Sequence, residues 1–331
     1  MNKLLAGAVL GIAVAGATYN FVFKTPEVIK VEVKAEKNQQ YFNPDIVITP
    51  QQVQAMLAAG EDVVLIDISK QADFLAKGHI EGAQQIWRPE MQADKGEYGF
   101  GGMRATREKM AELLGSLGVT SNTTVIPYDA SNNYDAARMW WLLDMYGHSK
   151  VQLIDGGYQG WKAAGLDMVH TESAKREATT YQFPWAENDR RLASIEEVQD
   201  AIKNKSAVII DARSLKEHTG EKIIGGVARG GRIPGSVLVD YSNTLDAGKN
   251  FKAIEELVSV YKAAGVTPDT PIITYCHSSI RSAHTTFVLT QLMGFQNVKN
   301  YDGAWIEWSQ ASNLPVESGD AVTVAGTLAS L

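Results

Sequence analysis

Cysteine is almost missing from this chain: 331 residues contain one, Cys276. A single thiol excludes an internal disulfide. No C-x-x-C pair and no Cys/His pair at zinc spacing exists either, so neither a structural zinc site nor a resident cofactor is expected. Clustered positive charge is missing too. Thirty-eight acidic residues outnumber 31 basic ones, the formal net charge is −7, and no basic run occurs. Phosphate-backbone binding needs clustered Lys and Arg, so nucleic acid is excluded as a partner. Low complexity is absent as well. With 45% apolar and 21% charged residues the chain is globular, and its length suits two ordinary domains.

The longest uncharged run lies at the start. After Lys3, residues 4–23 carry no charge. This reads as a secretory signal cut after Ala17, or as an uncut anchor just long enough to span a bilayer. Either form implies export, periplasmic or anchored to the inner membrane facing the periplasm, with this segment (1–24) the only membrane contact. Residues 25–45 read as a polar tether.

The remainder is written twice. "VVLIDISKQADF" from Val63 matches "AVIIDARSLKEH" from Ala207. "GHIEGA" from Gly78 matches "GRIPGS" from Gly231. Tyr128 and Tyr275, Asp155 and Asp302, Gly156 and Gly303, and Trp161 and Trp308 are each separated by 147 residues. The chain is a tandem duplication: one domain over 46–170, a linker at 171–188 and a second domain over 189–320. In each half helical patterns alternate with short, continuously apolar strands. The fold class is α/β, each half a mainly parallel sheet with helices on both faces. Ligands of such sheets bind beyond the carboxyl ends of the strands.

Cys276 falls at such an end. It follows the apolar strand Ile272–Tyr275 and opens the loop Cys276-His277-Ser278-Ser279-Ile280-Arg281. A helix is expected over residues 282–293, with Gly294 at its C-terminal cap. A short strand-to-helix loop turns successive N–H groups inward and ends on a helix start, which makes a cradle for negative charge. Arg281 adds a positive charge at the rim. Such surroundings favour the thiolate and any anion carried on the sulfur, a persulfide included. The alternative is an inert buried thiol. The coincidence of strand end, polar loop, arginine and helix start favours the reactive one.

At these residues the chain resembles the rhodanese family of sulfurtransferases, in its tandem-domain form. The resemblance rests on Cys276 with Arg281 five residues later, on Ile210-Asp211-Ala212-Arg213, on the G-x-I-P-G turn at 231–235 and on "YDGAWIEW". It covers residues 46–317. In the family the C-terminal half carries the cysteine and the N-terminal half has lost it; Asp129 stands opposite Cys276. The resemblance implies that Cys276 takes the outer sulfur of a small anionic donor as a persulfide and passes it to a small thiophile or a protein thiol. His277, Ser278, Ser279 and Ile280 would cradle the persulfide. Arg281, Arg138 and Arg213 would contact the donor, although Arg213 beside Asp211 also reads as an internal ion pair bracing the loop.

The loop sequence C-H-S-S-I-R departs from the C-R-K-G-V-T of thiosulfate-type and the C-G-S-G-V-T of mercaptopyruvate-type tandem enzymes. Its C-x4-R-S ending favours thiosulfate as donor, with 3-mercaptopyruvate as the alternative. A cysteine phosphatase would need C-x5-R. A redox role lacks a second cysteine. A non-turnover sulfur carrier or binding module stays open. Two domains forming one cleft need no partner chain, so a monomer is expected. His79 and Arg232 read as turn-fixing groups, the seven tryptophans mostly as packing, and the glycines of "GEYGFGGM" as a loop without a phosphate site.

Overall fold

The computed structural model describes residues 37–320. The expected export segment and the first part of the tether lie outside the described residues. Residues 37–41, within the expected tether, are packed on the body: Asn38 donates to the Val47 carbonyl (2.8 Å) and the Tyr41 hydroxyl to that of Lys252 (2.9 Å).

The first half runs β1 (Val47–Ile48), α1 (Pro50–Ala58), β2 (Val63–Ile68), α2 (Gln71–Lys77), β3 (Gln84–Ile86), α3 (Arg107–Ser116), β4 (Thr124–Tyr128), α4 (Tyr134–Tyr146), β5 (Leu153–Ile154) and α5 (Gly157–Ala163). The second repeats the order: β6 (Leu192–Ala193), α6 (Ile195–Asn204), β7 (Val208–Asp211), α7 (Leu215–Thr219), β8 (Val237–Leu238), α8 (Ile254–Ala263), β9 (Ile272–Tyr275), α9 (Ile280–Phe287), β10 (Val298–Tyr301) and α10 (Ala304–Gln310). Both first helices start at capping boxes, Thr49 with Gln52 and Ser194 with Glu197, which satisfy otherwise orphaned N–H groups.

Every strand pair is parallel. The second half forms one sheet in the order β6-β10-β9-β7-β8. The first half repeats this as β1-β5 and β4-β2-β3, joined by a bridge between Val125 and Val151. Alternation within strands explains the layers. Val64, Ile66 and Ile68 of β2 enter one core, while Val63 and Leu65 enter another on the opposite face. In β9 Ile272 faces the first of these cores and Ile273 and Tyr275 face a third. Two-faced burial with helices over each face is the expected α/β arrangement.

The largest core is shared by both halves. Helices α4 and α9 pack against each other, with Trp140 edge-on to Phe287 at 5.0 Å. Each fully buried aromatic or aliphatic side chain there contributes roughly 1.5–3 kcal/mol. The halves are also clasped reciprocally. Asp155 accepts from the Phe251 N–H (2.8 Å) and Asp302 accepts from the Arg104 N–H (2.9 Å), so the same carboxylate in each half binds the same backbone position of the other.

Candidate active site

Cys276 follows β9 directly and is 1% exposed. Its carbonyl accepts from the Trp305 N–H (2.9 Å), and that of His277 from the Ile306 N–H (3.1 Å). The "YDGAW" stretch therefore holds the loop from behind by presenting the start of α10. Ala304 pays for this with φ +52°. At a non-glycine residue that left-handed conformation costs roughly 1–2 kcal/mol.

The helix after the loop begins at Ile280, two residues before the expected position, because Ser279 turns into the left-handed region (φ +63°) and starts it there. The expected single helix also changes character. After Phe287 it widens into a π turn over Val288–Leu292 before Gly294 (φ +77°) ends it. The Thr286 and Thr290 hydroxyls donate back to the carbonyls of Ser282 (2.9 Å) and Thr286 (2.8 Å), competing with the backbone ladder in this stretch.

Ser279 is fully buried, and its Oγ accepts from Arg138 Nη1 and Asn300 Nδ2, both at 2.8 Å. Arg138 comes from α4 of the first half, so the structure does bring it to the cysteine loop. Its guanidinium also lies 2.7 Å from Asp302 Oδ1, as an ion pair without hydrogen-bond alignment, and 4.7 Å over the Trp141 ring. Arg138 Nη2 reaches the Gly102 carbonyl at 3.4 Å.

Arg281 is not a free cation at the rim, as the sequence suggested. It makes a two-pronged bond to Glu217 (2.7 and 2.8 Å). Burial would raise the Glu217 carboxyl, but Arg281 and Ser214 outweigh it and bring the group down to about 2. Arg213 is equally engaged. It is 2% exposed, bonded to both oxygens of Asp211 (2.7–3.2 Å) and to the Gly231 carbonyl (2.8 Å). His218 (2.8 Å) and the Tyr275 hydroxyl (2.8 Å) complete the shell of Asp211. Burial pushes that carboxyl up, yet Arg213 and His218 hold it well below the usual carboxylate range. This is the geometry of an internal ion pair under the loop. His277 is half-buried; burial, then Arg281, keep its imidazole below the ordinary value and hence neutral near pH 7.

The first half shows what the loop geometry can bind. Asp129 Oδ1 accepts from the N–H groups of Ser131 (2.6 Å) and Asn133 (3.0 Å), and Oδ2 from that of Ala136 (2.8 Å). Burial, then Asp135, raise this carboxyl to about 7 in spite of the three donors. The matching positions in the second half are Ser278, Ile280 and Ala283. The N–H groups of Ser278 and Ile280, two and four residues after Cys276, have no protein acceptor among the described residues.

Several participants escaped the sequence reading. Glu217 closes the Ser214-x-x-Glu217 capping box, so a local signal was present, but not its second role toward Arg281. Asn300 and Asp302 sit at the end of β10 and matter only through the fold. The glycine-rich loop near residue 100 reaches the cysteine loop: a Cβ on Gly102 would lie 2.9 Å from that of Ser278. His79 and Arg232 form equivalent ties, to Val169 and Glu317. Trp185 departs from the packing role, being 67% exposed. Among the described residues no cluster of His, Cys, Asp and Glu could hold a metal ion.

The chain is similar to known proteins. A 302-residue stretch is 31% identical to the sulfur carrier protein TtuD of Thermus thermophilus, covering 85% of this chain and 99% of that one. A thiosulfate sulfurtransferase of Corynebacterium glutamicum is 30% identical over 300 residues, 85% of this chain and 93% of its own. Among solved structures, YnjE superposes with a TM-score of 0.74 at 24% identity, over 85% of this chain and 70% of that one, a likeness of fold. The model of the rhodanese-like domain matches twice, over residues 49–164 and 194–311, and the chain belongs to the rhodanese family as a tandem of two such domains.

Proposed function

We propose that the chain is a thiosulfate sulfurtransferase acting through a Cys276 persulfide. The observation that carries this reading is the first-half loop, in which both oxygens of the Asp129 carboxyl accept from backbone N–H donors, three in all. A carboxylate oxygen is two bonds from its Cβ, and so is the outer sulfur of a cysteine persulfide. The second-half loop thus offers Ser278 and Ile280 N–H groups to an anion at the corresponding place. The relatives named as a thiosulfate sulfurtransferase and as a sulfur carrier support the same chemistry.

In the first half-reaction the Cys276 thiolate attacks the outer sulfur of thiosulfate. The sulfur–sulfur bond of the donor breaks, and sulfite leaves with its electron pair. In the second, a thiophile such as cyanide attacks the outer sulfur, the persulfide bond breaks and the thiolate returns. This is covalent catalysis with ping-pong kinetics. With Arg281 and Arg138 both paired to carboxylates, the loop N–H groups supply most of the anion stabilisation. The small donor and acceptor need no partner chain, and residues 1–24 would export the protein.

Steady-state thiocyanate formation from thiosulfate and cyanide tests the reading. Parallel double-reciprocal lines that vanish in Cys276→Ala are expected. Activity with 3-mercaptopyruvate alone would replace the donor. Sulfur loading without turnover to small acceptors would make the protein a carrier.

A further inference from the structure

Two anchors converge on one hydroxyl of the cysteine loop, and neither has a counterpart in the other half. Ser279 holds φ +63° and accepts from Arg138 and from Asn300, each at 2.8 Å. The equivalent of Ser279 in the first half is Asn132, which adopts the same conformation (φ +67°). Asparagine tolerates the left-handed region far better than serine does. The Asn132 side chain points away from its own turn: its Nδ2 donates to the Tyr241 hydroxyl (3.1 Å). The residue equivalent to Arg138 in the second half is Thr285, and that equivalent to Asn300 in the first is Leu153. The loop that bears the cysteine has the less tolerant residue and both of these clamps; the other loop is left-handed at Asn133 as well (φ +63°), where the Asn133 Nδ2 donates to the Ile154 carbonyl (2.8 Å).

We propose that Arg138 is a positioning residue, by which the cysteine-free half holds Ser279 in the left-handed conformation that leaves the Ser278 and Ile280 N–H groups without a protein acceptor beside Cys276. Its charge is matched by the buried Asp302 at 2.7 Å, and it is 2% exposed, which suits a fixed strut better than a contact for an arriving anion. The inference rests on the sulfurtransferase reading for its kinetic consequences. The conformational part stands on the loop geometry alone.

Glycine needs no clamp to adopt φ +63°, and this separates holding from chemistry. Ser279→Ala and Ser279→Gly both remove the hydroxyl and leave Arg138 paired to Asp302. Under the proposal Ser279→Gly turns over at least fivefold faster than Ser279→Ala. Arg138→Ala lowers kcat at least tenfold in the wild-type background, with the donor KM changed less than twofold, and lowers kcat no more than twofold in the Ser279→Gly background. Equal losses in Ser279→Ala and Ser279→Gly would overturn the proposal, as would an Arg138→Ala effect that falls on donor KM and is the same in both backgrounds. Because the chain has one thiol, the iodoacetamide alkylation rate of Cys276 at fixed pH gives a second readout. It should change at least fivefold in Arg138→Ala and less than twofold when that substitution is added to Ser279→Gly. Equal changes in both backgrounds overturn the strut. A wild-type chain without turnover would sink the sulfurtransferase reading and leave this alkylation comparison to decide the strut separately.

Discussion

Asp129 occupies in the first half the place that Cys276 occupies in the second, and its carboxylate is held by the N–H groups of Ser131, Asn133 and Ala136. The two loops are related but not identical: Asn132 and Asn133 are both left-handed around the Asp129 carboxyl, whereas only Ser279 is left-handed around the thiol. The copy without the cysteine shows the loop N–H groups offered to a buried acidic group.

The two halves also differ where α5 and α10 begin. Gly157 has φ +53° and its equivalent Ala304 has φ +52°. Ala304→Gly should therefore stabilise the protein by about 1 kcal/mol, read as a higher urea midpoint at unchanged slope. Gly157→Ala should destabilise it by more than about 2 kcal/mol, because the added Cβ would fall 2.5 Å from Asn133 Oδ1 and 2.9 Å from the Asp129 carbonyl, beyond the conformational strain.

His284 sits on α9 with its ring stacked on Phe251 (5.2 Å) and edge-on to Tyr241 (5.4 Å), and neither ring nitrogen has a partner among the described residues. Burial lowers it from 6.5 to about 3. The unfolded chain therefore takes up a proton that the folded chain refuses. Stability is unaffected above pH 6.5 and falls as pH drops toward 3, by up to about 1.4 kcal/mol per pH unit from this group. His284→Phe should flatten the decline between pH 6.5 and 4 in urea titrations. An unchanged decline would contradict the assignment.

Glu217 supplies a second part of the acid limb. Its carboxyl is held at about 2 by Arg281 and Ser214 against the effect of burial. The pair's contribution is complete above the unfolded value near 4.5 and is lost as pH falls toward 2. Glu217→Gln leaves the Arg281 charge uncompensated in a partly buried place. It should cost about 1–3 kcal/mol at pH 7 and remove this part of the acid transition, measured by denaturation at both pH values.

The fold was legible because it rests on local signals. The apolar strand ending at Tyr128 and its copy ending at Tyr275 announce buried parallel strands, and the fixed spacing of 147 residues announces the duplication. The cysteine loop was legible as a strand-to-helix junction. The electrostatics around it was not, since Arg281 meets Glu217 across 64 residues and Arg138 meets Asp302 across the two halves. Sequence shows that a loop carries arginines; only the fold shows which carboxylates neutralise them. Where the helix after the loop begins was set by Ser279, whose left-handed backbone no propensity suggests.

The reciprocal clasp offers an internal control. Asp155 and Asp302 each bind a backbone N–H of the other half, but only Asp302 also faces Arg138. Asp155→Asn should lower stability by about 1–2 kcal/mol with kcat retained, while Asp302→Asn should lower both, compared by urea denaturation and thiocyanate formation.

The most direct test of the account weighs the intact chain after exposure to thiosulfate alone. The account predicts a gain of one sulfur atom per chain, discharged by one equivalent of cyanide as thiocyanate, with no gain in Cys276→Ala. A wild-type chain that takes up no sulfur, or a Cys276→Ala chain that still does, would contradict it.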